Sequence, residues 1–85
     1  MTPLRRKHLN LAERCADYRR RGYVVDLRVY QECEHWKLGY KVFTGEIGFP
    51  CQQGVIAAAE TESAIRELRT AFEVEMQSEL VEAGR

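Results

Sequence analysis

The chain has 85 residues, 45% hydrophobic and 31% charged, with 13 Lys and Arg balanced by 13 Asp and Glu. That length predicts one domain that buries only about 60–65% of the surface its unfolded form exposes, so a further source of stability is expected. Cys15, Cys33 and Cys51 are odd in number and scattered, and no apolar run follows the basic residues 5–7, so neither a disulfide framework, a signal peptide nor a membrane span is expected.

Residues 1–9 are basic and read as disordered. Asn10 and Glu13 have the spacing of a capping box, and Leu11, Cys15 and Tyr18 follow at i, i+4 and i+7, which predicts a helix over roughly 10–21. An earlier start, with Pro3 in the first turn, is the alternative. Arg19, Arg20 and Arg21 complement the negative helix end, and Gly22 is placed for a left-handed C-cap.

From Tyr23 the pattern changes to a period of two. Tyr23, Val25, Leu27 and Val29 fall on one face, and after Gln31–His35 the alternation resumes with Trp36, Leu38, Tyr40 and Val42. Two antiparallel strands are predicted, with residues 31–35 as the turn. Residues 46–50 are turn material around Gly48 and Pro50. Gln52–Ala59 reads as a third strand in which Val55, Ala57 and Ala59 share a face; a helix from Val55 is the alternative.

Thr61 then caps a last helix whose apolar stripe is Ile65, Leu68, Phe72 and Met76, with Ala64 and Ala71 beside it. Residues 82–85 are expected to fray. The predicted fold class is α+β: an N-terminal helix, a three-stranded antiparallel sheet and a C-terminal helix laid across one sheet face. The core on that face is Val25, Leu27, Val29, Leu38, Tyr40 and Val42.

Chemistry-bearing patterns are sparse. Cys33, Glu34 and His35, with Cys51 across the hairpin and His8 or Cys15 nearby, are zinc-type ligands, but they lack the tight C-x₂-C pairs of structural zinc. A Cys33 or Cys51 nucleophile with His35 has no orienting third group in the sequence. No phosphate loop or G-x-G-x-x-G occurs, and the glutamates at 73, 75, 79 and 82 read as a solvated helix face. Neither enzymatic activity, a metal nor a cofactor is expected.

Charge is divided along the chain. Residues 1–45 carry ten basic against five acidic side chains, a balance of +5, and residues 46–85 carry three against eight, a balance of −5. Opposite halves can attract within one chain or between two. Arg19, Arg20, Arg21 and Lys41 are candidate nucleic-acid contacts, with Tyr30 and Phe43 as stacking surfaces. Val24, Tyr30 and Phe43 on the second sheet face are candidate interface residues, and the sheet leaves two edges open to pairing.

Three resemblances follow. The helix–three strands–helix order resembles the double-stranded-RNA-binding domain, which implies RNA contacts from lysines at the start of the last helix; the matching stretch here, Glu60 to Ala64, is acidic. The run from Thr61 to Glu73 behind an Ala-rich strand resembles the strand-to-helix junction of HicB-type antitoxins. Arg21-Gly22-Tyr23, Trp36 and Tyr40-Lys41-Val42 are similar to small bacterial α+β proteins with a closing helix, a likeness that brings no activity with it. The sequence therefore predicts a cytoplasmic, non-enzymatic protein-interaction module that forms a homodimer, with nucleic-acid binding as the alternative.

Overall fold

The computed structural model describes residues 4–45 and 48–83, with side chains through Ser78. Alternation along the middle of the chain produces β1 (Val24–Glu32) and β2 (His35–Phe43), paired antiparallel with Val25 opposite Val42, Leu27 opposite Tyr40 and Val29 opposite Leu38. β3 (Gln52–Ala59) adds to the other side of β2, giving the sheet order β1-β2-β3. α1 (Arg6–Arg20) precedes the sheet and α2 (Glu62–Ala83) follows it, so the α+β architecture is the predicted one. Glu46, Ile47, Gly84 and Arg85, together with residues 1–3, lie outside the described residues, so the predicted turn is seen only in part, and of the end expected to fray, Glu82 and Ala83 are instead the last residues of α2.

The β1–β2 connection is tighter than the predicted loop. Gln31, Glu32 and His35 belong to the strands, and only Cys33 and Glu34 form the turn, with φ of 52° and 64°. Two consecutive left-handed residues match the right-handed twist of a hairpin, though Asn-Gly is the usual way to fill them. In β3 the register shifts: Leu38 faces Ala57 but Gly39 faces Val55, leaving Ile56 as the extra residue of a bulge. The bulge overturns the expected face. Val55 turns outward at 54% exposure, Ile56 is buried, and Ala57 and Ala59 remain half-buried on the core side.

α1 begins at Arg6, not Asn10, so residues 6–9 are helical rather than loose and the Asn10–Glu13 capping box does not form; both residues are inside the helix. The stripe that decides this is His8, Ala12, Cys15 and Ala16, all buried, and His8 was a core position hidden by its polarity. Its Nε2 has no hydrogen-bond partner among the described residues. The other end closes as a Schellman motif: Gly22 N–H donates to Arg19 O at 3.0 Å and Tyr23 N–H to Tyr18 O at 3.0 Å, with Gly22 at φ 92°. The apolar contact of that motif is the stack of Tyr18 on Tyr23, ring centroids 5.5 Å apart. It fixes the angle at which the chain enters β1.

Thr61 caps α2 as predicted, accepting from the Ala64 N–H at 3.2 Å. Ile65, Ala71, Phe72 and Met76 are fully buried, Leu68 is half-buried and Ala64 faces water. α1 packs chiefly along α2, and both helices contribute to one core with Val25, Leu27, Leu38, Val42 and Ile56. Two helices, not the last alone, therefore roof one side of the sheet. The other side has no layer over it among the described residues.

Candidate functional site

The uncovered face is built by the alternate residues of each strand. Val24, Asp26, Arg28 and Tyr30 come from β1, Lys37, Gly39, Lys41 and Phe43 from β2, and Gln53 and Val55 from β3. At one end Val24 lies directly across from Phe43, and Val24 is 56% exposed. Tyr30 is six positions further along β1, roughly 20 Å away by strand rise, so the three candidate interface residues share a face without touching as one patch. Phe49, 79% exposed in the loop before β3, is at the Val24–Phe43 end and was not among the candidates. A lone Phe between Gly and Pro carries no periodic signal.

Between those ends the face is hollow and mixes charged with apolar side chains. The Tyr30 ring lies across Gly39, its Cε1 3.0 Å from where a Cβ would stand. Beside it is a groove of about 510 Å³ lined by Arg28, Tyr30, Lys41, Gln53 and Val55 over the strand backbone. Arg28 is held by Asp26 at 2.8 Å and Lys37 by Glu32 at 2.6 Å. That last contact, mainly its hydrogen bond, raises the Lys37 ammonium above the usual lysine range. Lys41 has no ion pair among the described residues.

The basic candidates do not converge. Arg20 and Arg21 both bind Asp17, at 2.9 and 2.8 Å, and the Arg20 hydrogen bond first, then the Arg21 charge, hold the Asp17 carboxyl below the ordinary carboxylate range. Arg19 is half-buried and donates to Val25 O at 3.3 Å on the free edge of β1. All three belong to the helix layer, whereas Lys41 is on the opposite side of the sheet. The start of α2 carries the acidic Glu62, bound to Arg66 at 2.7 Å.

The thiols are separated too. Cys33 is exposed in the hairpin turn, with His35 Nδ1 3.0 Å from its carbonyl oxygen. Cys51 is exposed at the far end of β2, where its N–H donates to Val42 O at 2.8 Å. From His35 to Val42 the strand rises roughly 23 Å, so a Cys33–His35–Cys51 cluster does not form. Among the described residues no three His, Cys, Asp or Glu side chains gather where a metal could sit. Burial pushes the Cys15 thiol up to about 11, against the weaker opposing pull of Arg19 and Arg14, and leaves it protonated at neutral pH. No described helix is long and apolar enough to cross a membrane.

Comparison of the chain with protein-family models, with curated proteins and with solved structures finds no match.

Proposed function

We propose that this protein is a non-enzymatic interaction module that self-associates as a homodimer through its sheet. The observation that carries the proposal is the one-sided roof: both helices share one core, and the opposite face exposes more than half of Val24 and Val55 and leaves Tyr30 and Phe43 half-buried at its two ends. Apolar surface that a small domain leaves in water marks a region of contact, and the sheet that carries it also has two open edges. The small size of the domain adds to this, because a second copy supplies further burial. Exposed thiols at Cys33 and Cys51 suit a reducing compartment such as the cytoplasm. Sedimentation velocity over a hundredfold range of concentration tests the proposal. A mass rising from one chain to two supports it, and a monomer throughout refutes it.

The second reading is nucleic-acid binding, favoured by the groove itself. Lys41, without an ion pair among the described residues, stands there with Arg28 and the Tyr30 ring, two cations and a stacking surface. Retention of mixed single-stranded DNA and RNA in a low-salt mobility assay, lost in Lys41→Glu, supports this reading; no retention removes it.

A further inference from the structure

Resting on the self-association proposed above, we infer that the contact is edge to edge: β1 of one copy pairs antiparallel with β1 of a second copy, with Leu27 on the two-fold axis. The sheet has two edges, and they differ. β3 is interrupted by the bulge at Ile56, which breaks the even row of donors and acceptors that a neighbouring strand needs. β1 runs nine residues without a register shift.

The outward groups of β1 follow from its pairing. Glu32 and His35 flank a two-residue turn and form a hydrogen-bonded pair, so alternation directs the main-chain groups of Tyr30, Arg28, Asp26 and Val24 toward β2. Those of Val25, Leu27 and Val29 point away from the sheet. The Arg19 guanidinium sits on one of them, the Val25 carbonyl, at 3.3 Å. That long bond partly blunts this edge, and the Val29 N–H of a second copy takes its place on pairing.

Charge then selects the register. An axis through Asp26 sets that carboxylate against its own copy, and an axis through Arg28 sets two guanidiniums face to face. An axis through Val29 opposes Asp26 to Glu32, and one through Val25 leaves only Val24–Asp26 overlapping. An axis through Leu27 avoids all of these: Asp26 faces Arg28 of the second copy twice, Val25 faces Val29, and Val24 faces Tyr30. About six main-chain hydrogen bonds form, two from each of the pairs Val25–Val29, Leu27–Leu27 and Val29–Val25. The row Phe43–Val24 of one copy continues into Tyr30–Lys37 of the other, so the candidate residues that stand far apart in one chain meet across the axis. With β3 bulged, each copy has one competent edge, and assembly closes at two.

Charge exchange tests the register on the full chain. Asp26→Arg and Arg28→Asp each put like charges opposite one another at two symmetric places, and self-association weakens roughly tenfold to a hundredfold. Mixing the two variants sets each strand against its opposite, and the mixture forms heterodimers in sedimentation velocity. On the wild type, amide exchange at Val25, Leu27 and Val29 slows as concentration rises, while that at Val55 does not; this readout needs no substitution. If wild type dimerises but either single variant does so equally well, the mixture stays monomeric, or those amides are insensitive to concentration, the edge register is wrong and self-association stands. If wild type is monomeric at every concentration, both fail.

Discussion

Replacing the hairpin turn Cys33-Glu34 by Asn-Gly is expected to stabilise the protein. Both residues are left-handed, at φ 52° and 64°, and a non-glycine residue in that region costs roughly 1–2 kcal/mol. Glu34→Gly removes that strain but adds roughly 0.5–1 kcal/mol of unfolded-chain freedom, a net gain of about 0.5–1. Cys33→Asn adds about half of that, because asparagine tolerates the region better than cysteine, so the pair gains about 0.8–1.5 kcal/mol. For a domain of this size that is an upward shift in Tm of roughly 5–10 °C. The His35 contact goes to the Cys33 backbone carbonyl and survives the change, and the exposed Lys37–Glu32 pair is untouched. Urea and thermal unfolding followed by far-UV circular dichroism measure it, with the urea m-value unchanged as the control. An unchanged or lowered midpoint refutes the strain argument.

Phe72→Ala, at a side chain with no exposure, should cost about 3–5 kcal/mol, most of the stability of a small domain, whereas half-buried Leu68→Ala should cost about 2; urea melts rank them. Gly54→Ala places a Cβ 2.8 Å from the ring of Tyr40, which is packed against the core, and should cost about 1–3 kcal/mol; Gly39→Ala, whose neighbour Tyr30 is on the uncovered face, should cost less. The pH dependence has two signs. The depressed Asp17 carboxyl contributes stability above the ordinary aspartate value and loses it as pH falls through its lowered value, while the raised Lys37 ammonium contributes below the ordinary lysine value and loses it as pH rises through its raised one. Asp17→Asn should flatten only the acid limb of a stability–pH profile and Lys37→Gln only the alkaline limb; crossed effects would show the attribution to be wrong.

The strands were legible because their alternation is regular: Val25, Leu27, Leu38 and Val42 are buried where a period of two puts them, and Gln52–Ala59 is a strand over the predicted span. The bulge was not, since nothing in Val-Ile-Ala-Ala-Ala marks Ile56 as the residue without an opposite number. Helix α1 takes the earlier of the two starts the sequence allows: Asn10 and Glu13 mimic a cap, while the true first turn is basic, with no capping side chain and a core position filled by His8. Of the site, the face shared by Val24, Tyr30 and Phe43 was readable from parity alone. The dispersal of the arginines was not, although Asp17, three and four residues before Arg20 and Arg21, was a clue to their pairing.

The three cysteines give the molecule an internal clock. Cys33 is exposed in the turn and is alkylated first, Cys51 follows though its thiol donates to the Val42 carbonyl at 3.4 Å, and Cys15, 1% exposed and held as the neutral thiol, waits until the helices part from the sheet. The lag between the fast and slow labels thus reports how often the whole structure opens in plain buffer, without denaturant.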